Sequence, residues 1–226
     1  MQEAVGSSPI PPNFCPLPAN KNRAGEQWNL FAMDIMDLIK TRRSIRRFGQ
    51  EKLDRNFLVE LVEAARSAPA AANVQSLEYI VVDEPKICQE LFGTLTWAWH
   101  IRPKRKPAPN QRPVAYIVVL IDAEIKKESS VDAAAAIENI LLAAWGKGVG
   151  SCWLGALNRE KISQILNIDE KYYIDSVVAL GKPAEKPVME DAAGEDTKYY
   201  LDGNDVLHIP KRPLKRILHF NKFETK

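Results

Sequence analysis

The 226-residue chain has few cysteines and histidines, and their spacing excludes two classes of site. Its three cysteines, Cys15, Cys88 and Cys152, are an odd number without a C-x-x-C pair, which argues against a disulfide framework or a zinc site. The three histidines lie far apart in sequence, and nothing near them has metal-ligand spacing. The sequence therefore predicts no metal and a reducing, cytoplasmic environment.

Strong net charge and long apolar runs are also absent. A net charge of +2 gives no global reason to expect nucleic acid as a partner. Residues 1–33 hold no apolar run long enough for a signal peptide or a membrane span, so we expect an irregular tail and no membrane association. Hydrophobic residues at 46% and charged residues at 27% are ordinary globular values, which predicts a single domain over residues 34–226.

The densest local charge is the run 41–48, Thr-Arg-Arg-Ser-Ile-Arg-Arg-Phe, which holds four arginines and two hydroxyl groups. Guanidinium forks bind phosphate oxygens bidentately and Ser44 adds a neutral donor, so the run is typical of a phosphomonoester site. The alternative is a solvated basic helix end, stabilised by the helix dipole. A second pair of adjacent cations, Lys211 and Arg212, lies in a proline-flanked segment and could complete a phosphate site.

Apolar periodicity predicts the elements around this run. Helices are expected from Asp34 to the arginines, after Asp54, and over 84–99, 132–147 and 158–166, with strands over 79–82, 116–121 and 174–180. The helix that begins at Asp132 is apolar around much of its circumference, so its own domain or a partner subunit must enclose it. The acidic stretch 185–205 is expected to be a loop or a flexible arm.

Two further stretches carry groups that could bind a ligand. The loop 70–77 presents Asn73 and Gln75, whose donors and acceptors suit the edge of a heterocycle, although turn chemistry is the alternative. Four glycines within 146–155 leave backbone N–H groups uncovered, but they do not form a G-x-G-x-x-G pattern after a strand. The basic segment 102–106 could contact nucleic acid, but its prolines block a recognition helix and favour a surface loop.

Three motifs in this order make the chain resemble the FMN-dependent nitroreductase family. They are R-R-S-I-R-R-F at 42–48, S-A-P at 67–69 through N-V-Q at 73–75, and G-V-G-S-C-W-L-G at 148–155. The resemblance runs from about residue 34 to the end and departs from the family at Ser76-Leu77, where a Pro-Trp pair is common. It implies an α+β fold with a central, mostly antiparallel sheet flanked by helices, in an interlocked homodimer with FMN in two interface clefts.

The same resemblance implies a function. NAD(P)H reduces FMN, which then reduces a nitroaromatic, a quinone or a similar small acceptor by a ping-pong mechanism without a catalytic side chain. The choice between NADH and NADPH stays open. Alternatives are a flavin-binding regulatory or storage protein, a dehalogenating or flavin-modifying branch of the family, and a nucleic-acid module that uses residues 102–106.

The resemblance also implies site residues. The FMN phosphate is expected to bind Arg42, Arg43 and Ser44, together with Lys211 and Arg212. Arg46 is expected to face the flavin pyrimidine, where a cation stabilises negative charge on the reduced ring. The remaining expected contacts are Asn73 and Gln75 at the same ring edge and the backbone of Leu154 and Gly155 near N5.

Overall fold

Helices and strands are mixed along the described part of the chain. The computed structural model describes residues 34–102 and 105–223, so the tail predicted over 1–33, with Cys15, lies outside the described residues. The helices are α1 (Ile35–Thr41), α2 (Arg55–Arg66), α3 (Pro85–Phe92), α4 (Ser130–Gly146), α5 (Arg159–Leu166) and α6 (Leu214–Ile217). The strands are β1 (Leu77–Val82), β2 (Ala115–Asp122), β3 (Gly150–Leu154), β4 (Tyr172–Gly181), β5 (Val188–Asp191), β6 (Tyr200–Leu201) and β7 (Leu207–Lys211). The predicted α+β class is confirmed.

The central sheet is antiparallel throughout, with the strand order β1-β2-β4-β3. All eight residues of β2 are buried, as its uninterrupted apolar run predicts. Because alternate side chains of a strand point to opposite faces, Tyr116 and Val118 pack into one apolar core while Ile117 and Val119 pack into a second. Helices α3 and α5 contribute to the first core and α2 and α4 to the second. Strand β3 is left at an edge of the sheet.

Helix α2 and helix α4 pack against each other. Asp54 caps α2, since its Oδ1 accepts hydrogen bonds from the backbone N–H groups of the first turn at 2.8 and 3.3 Å. The apolar stripe of α2 buries Leu58, Leu61 and Ala65. Asn139 on α4 donates to a carbonyl of α2 at 2.9 Å, which fixes the contact between the two helices. One face of α4 is thus buried within this chain.

The helix predicted over 84–99 is shorter than expected. Helix α3 ends at Phe92, where Gly93 forms the C-cap and the Thr94 hydroxyl donates to the Leu91 carbonyl at 2.7 Å. Beyond it, Leu95 and Trp97 remain buried without helical geometry, and Ala98 adopts a left-handed backbone with φ of 47°. The apolar spacing therefore continues past the helix because these side chains enter the core from an irregular segment.

The expectation of a loop or flexible arm over 185–205 is wrong in part, because two short strands interrupt an otherwise irregular stretch. Strands β5 and β6 lie in this stretch and flank β7, with β5 parallel and β6 antiparallel to it. The acidic residues are compatible with strands because some of them are paired: Glu190 of β5 lies 2.9 Å from His208 of β7 and accepts a hydrogen bond from Tyr200 of β6 at 2.8 Å. We call this three-stranded unit the small sheet.

His208 makes the stability of the small sheet sensitive to pH. The hydrogen bond to Glu190, and then the one to Asp202, raise the pKa of His208 above its ordinary value. A raised folded-state pKa gives stability that is present below the unfolded pKa and is lost as the pH rises through the folded value. We expect the melting-temperature gap between wild type and His208→Gln to be larger at about pH 6 than at about pH 9. A gap that stays constant across this range would contradict the assignment.

Candidate functional site

The arginine segment, residues 42–48, lies between strand β3 and the turn that follows β4. The Ile45 N–H donates to the Ser151 carbonyl of β3 at 2.8 Å, and the Arg47 carbonyl accepts from Ala184 at 2.9 Å. The apolar residues Ile45 and Phe48 are fully buried in the first core. Burial of these two residues holds the segment against the sheet edge, where its polar residues are available to a ligand.

The first two arginines have different partners. The Arg42 Nε lies 3.4 Å from Glu138 of α4, and the Arg42 side chain is mostly buried. The Arg43 guanidinium donates to the carbonyls of Lys40, at 2.5 Å, and of Arg42, so it covers the C-terminal end of α1. Burial and then the charge of Arg42 lower the pKa of Arg43. Arg43 is thus already used by the helix end, whereas Arg42 faces a single carboxylate.

Buried polar atoms without a hydrogen-bond partner concentrate at this segment. Among the described residues they include the Arg46 Nε and the hydroxyl of Ser151, whose backbone forms a β-bridge with Ser44. The Arg42 Nε also lacks a hydrogen bond, although Glu138 lies 3.4 Å away as its ion-pair partner. Most buried polar groups in proteins are hydrogen-bonded, and exceptions call for an explanation such as a ligand. These are the donors that an anionic, hydrogen-bonding ligand requires.

The end of β3 lies close to this segment. Leu154 and Gly155 follow Ser151 along the strand, so they lie roughly 10 Å beyond the point at which Ser44 bridges to β3. Gly155 is exposed, and an added Cβ would meet nothing within 4 Å. Cys152, which follows Ser151, is buried, and this burial raises the pKa of its thiol. The strand end therefore offers an open backbone at Gly155.

Asn73 and Gln75 lie at the other end of α4. The loop that carries them is fixed by the Ala71 N–H, which donates to Asp132 at the start of α4 at 3.1 Å. The arginine segment is fixed near the end of α4, where the Trp145 indole donates to Thr41 at 3.0 Å. A helix rises 1.5 Å per residue, so these two anchors are roughly 20 Å apart. Within one chain the structure does not bring the amides to the arginines.

The amide loop also shows the turn chemistry that was the alternative reading of its sequence. Asn73 and Gln75 both have left-handed backbones, with φ of 53° and 55°. The Gln75 side chain donates to the Asn73 carbonyl at 3.3 Å, and both residues are exposed. The loop therefore contains a local turn hydrogen bond, and the side chains of Asn73 and Gln75 are still accessible to a ligand.

Lys211 and Arg212 lie at the end of β7, and both are exposed. The Lys211 carbonyl accepts from Ala192 at 2.7 Å, which ties this end of β7 to the residue after β5. The small sheet meets the arginine segment elsewhere, through Asp205 and Arg47, whose side chains are 2.5 Å apart. Lys211 and Arg212 therefore lie at the end of β7 that is opposite to the contact between Asp205 and Arg47.

Three charged residues at the site were missed by the sequence reading. Glu185 accepts hydrogen bonds from the backbone of the arginine segment, and Arg105 pairs with both Glu185 and Asp205. The hydrogen bond from Arg47, and the nearby charge of Arg105, lower the pKa of Asp205. Arg105 lies in the basic segment expected to be a surface loop, yet its side chain is only 2% exposed. Nothing in its local sequence distinguishes it from solvated neighbours.

A cleft of about 680 Å³ opens beside the arginine segment. Arg43 and Trp145 line it, together with Lys147 and residues 182–187. Its cations outnumber its single carboxylate, Glu185. The surroundings of the segment are thus positively charged on this side as well, which favours an anionic ligand. Among the described residues, no three His, Cys, Asp or Glu side chains group to hold a metal ion, and no described helix is long and apolar enough to cross a membrane.

Gly150 sets the distance between β3 and the arginine segment. A Cβ at this position would lie 2.8 Å from Ile45 Cγ1 and 3.0 Å from its Cβ. We expect Gly150→Ala to destabilise the fold by about 1–3 kcal/mol, because either Ile45 or the strand must shift. Thermal unfolding measures the loss, and Gly194→Ala is the matched control because an added Cβ there meets nothing within 4 Å. Equal stability of the two variants would contradict this close approach.

Comparison with known proteins identifies the family. A sequence model of the nitroreductase family matches residues 39–182. This chain belongs to the nitroreductase family. The resemblance drawn from its three motifs is confirmed. A relative from Archaeoglobus fulgidus, named as an NADH dehydrogenase/NAD(P)H nitroreductase, is 33% identical over 167 residues, which are 70% of this chain and 91% of the relative.

Solved structures of nitroreductases share the fold. A nitroreductase family protein from Clostridium novyi NT is 27% identical, with a TM-score of 0.58 over 67% of this chain and 87% of that one. A nitroreductase from Desulfovibrio desulfuricans, solved in complex with FMN, is 24% identical, with a TM-score of 0.60 over 84% of this chain and 98% of that one. The family's sheet and flanking helices therefore position the arginine segment in this chain.

Proposed function

We propose that the chain is an FMN-dependent oxidoreductase that uses NAD(P)H to reduce a small acceptor such as a nitroaromatic or a quinone. The observation that carries the proposal is the arginine segment, which presents Arg42, Ser44 and Arg46 along an edge strand. The Arg46 Nε and the Ser151 hydroxyl are buried there without a hydrogen-bond partner. Two similarities support the cofactor and the donor: the FMN complex of the Desulfovibrio structure and the NAD(P)H in the name of the Archaeoglobus relative. Buried, free Cys88 and Cys152 fit a cytoplasmic enzyme.

The residues present fit FMN. Arg42 and Ser44 would bind the phosphate, with Arg43 adding positive field and Lys211 and Arg212 joining from the small sheet. Arg46 would hold the ring edge, where its charge favours the reduced form. When bound, FMN supplies hydride acceptance from NAD(P)H in one half-reaction and electron donation to the acceptor in the other. The protein's part is to bind, to orient and to stabilise charge.

We propose that a homodimer completes the site. The separation of roughly 20 Å between the two anchors along α4 supports a site in which Asn73 and Gln75 come from the second copy. Apolar exposure supports the same assembly: Phe220 and Phe223 near the C-terminus are 75% and 82% exposed, and Val131 of α4 is 83% exposed. An interlocked pair of chains would cover these side chains.

A mixed dimer tests shared sites. Arg42→Ala and Asn73→Ala chains with different tags are co-expressed, and mixed dimers are purified through both tags. About half of their flavin sites are expected to be restored, because a mixed dimer has one intact site and one doubly substituted site. Each variant alone provides the background. If mixing restores no sites although each variant alone has lost them, each site lies within one chain and the shared site is wrong. If Asn73→Ala alone binds flavin like wild type, Asn73 does not contribute to the site.

Steady-state kinetics test the function itself. NADH and NADPH are each varied against nitroaromatic, quinone and enone acceptors. Parallel lines in double-reciprocal plots are expected, because the donor product leaves before the acceptor binds. Flavin binding without acceptor-dependent turnover would instead favour a regulatory or storage protein.

A further inference from the structure

The backbone N–H groups of residues 45–49 are all hydrogen-bonded, and two of them depend on one side chain. Three N–H groups donate to backbone carbonyls: Ile45 to Ser151 at 2.8 Å, Phe48 to Gln111 at 3.0 Å and Gly49 to Lys182 at 2.8 Å. The other two, those of Arg46 and Arg47, both donate to Oε1 of Glu185, at 3.2 Å from Arg47. The acceptors of the other three N–H groups are backbone carbonyls, which a side-chain substitution leaves in place. A substitution of Glu185, by contrast, removes the acceptor of two N–H groups.

Glu185 is held in place by a closed set of charges. Its other oxygen lies 2.7 Å from Arg105 Nη2, and the two side chains are 4% and 2% exposed. Arg105 Nη1 lies 2.9 Å from Asp205, whose second oxygen lies 2.5 Å from Arg47. We call these four residues the charge ring. It joins the arginine segment to three stretches that are distant in sequence.

A buried ion pair of this kind contributes little net stability, because desolvation offsets the attraction between its charges. What the ring provides is geometry. One carboxylate oxygen accepts from two consecutive N–H groups, which fixes the backbone at Arg46 and Arg47. Arg46 in turn donates to the Ser44 carbonyl at 3.5 Å and stacks over Tyr199 at 5.1 Å. The orientation of Arg46 relative to Ser44 thus depends on Glu185.

We infer that Glu185 is a positioning residue for the flavin site, which it serves by fixing the arginine segment without touching the ligand. The inference rests on the proposed function, since it assigns Glu185 a purpose in FMN binding. Removing the carboxylate should release the backbone of Arg46 and Arg47 and shift the neighbouring Ser44 away from the phosphate. The Arg46 side chain keeps its stacking over Tyr199, so phosphate binding should suffer more than ring binding.

Two double variants separate positioning from stability. E185M/R105M replaces the buried pair by apolar side chains of similar length and removes the acceptor, whereas E185Q/R105M keeps an amide oxygen for the two N–H groups. We expect E185M/R105M to bind FMN about tenfold more weakly than E185Q/R105M, because two hydrogen bonds that orient the segment are lost. Fluorescence titration with FMN and with riboflavin gives the ratio of affinities, which should fall in E185M/R105M.

The matched control is E63M/R66M, which applies the same change to an exposed ion pair on α2 and should leave the ratio unchanged. Asp205→Asn is a milder second variant, since its side chain is half exposed, and a lowered FMN-to-riboflavin ratio is expected there too. If both double variants keep the wild-type ratio, or if Asp205→Asn does so when E185M/R105M does not fold, the positioning role is overturned. Wild type without any preference for FMN over riboflavin would instead refute the proposed function.

Discussion

Arg42→Ala is expected to weaken FMN binding about ten- to a hundredfold while the chain stays folded. A charge-assisted hydrogen bond contributes about 1.5–3 kcal/mol, and ~1.4 kcal/mol is a tenfold change in affinity. Folding should tolerate the change because Glu138, the partner left behind, is half exposed and can be rehydrated. Fluorescence quenching titrations with FMN measure the affinity, and thermal unfolding confirms the fold.

Riboflavin, which lacks the phosphate, is the control ligand for this prediction. Its binding should barely respond to Arg42→Ala or to the double change Lys211→Ala and Arg212→Ala, which is expected to weaken FMN at least as much. Arg66→Ala removes an exposed, ion-paired arginine on α2 and should affect neither flavin. If FMN and riboflavin lose affinity equally, these cations stabilise the fold or bind the flavin ring, and their assignment to the phosphate is wrong.

Arg46→Gln is expected to slow flavin reduction by roughly a hundredfold and to weaken FMN binding far less. The reason is that the charge of Arg46 would face negative charge that develops on reduction, and loss of one such electrostatic partner costs about 10²–10³ in rate in other enzymes. Glutamine keeps a polar side chain at the site. Stopped-flow mixing of FMN-loaded protein with NADH or NADPH under anaerobic conditions measures the rate.

A normal reduction rate in Arg46→Gln would count against the tuning role. Arg66→Gln is the matched control, because Arg66 and its partner Glu63 are both exposed on α2. A variant that loses FMN altogether would indicate that Arg46 serves binding more than rate.

The fold was predictable where local patterns decide it. The apolar run of β2, the Asp54 cap and the stripe of α2 each determine their element through short-range chemistry. Prediction failed where tertiary contacts override the pattern. Leu95 and Trp97 continue a helical spacing yet enter the core without a helix. The strands of the small sheet form in an acidic stretch because their charges are paired with residues of other strands.

The site was predictable in residue type but not in its supporting contacts. Arginines and hydroxyls in the segment 42–48 signal an anion site through chemistry that is visible in eight residues. Glu185 reaches the backbone of Arg46 from 139 positions away, and Arg105 is buried in a segment whose composition favours solvent. Such pairings depend on the tertiary fold, which brings residues distant in sequence to the arginine segment beside β3. The spacing of residues along the sequence does not predict them. The same holds for the distance between Asn73 and the arginines.

Anaerobic titration of the purified, FMN-loaded protein with NADH or NADPH tests the central claim most directly. The account predicts that about one equivalent of donor per flavin bleaches the flavin absorbance, and that a nitroaromatic or quinone added afterwards restores it without further donor. A protein that binds no FMN, or whose bound flavin is not bleached by either donor, would contradict the account.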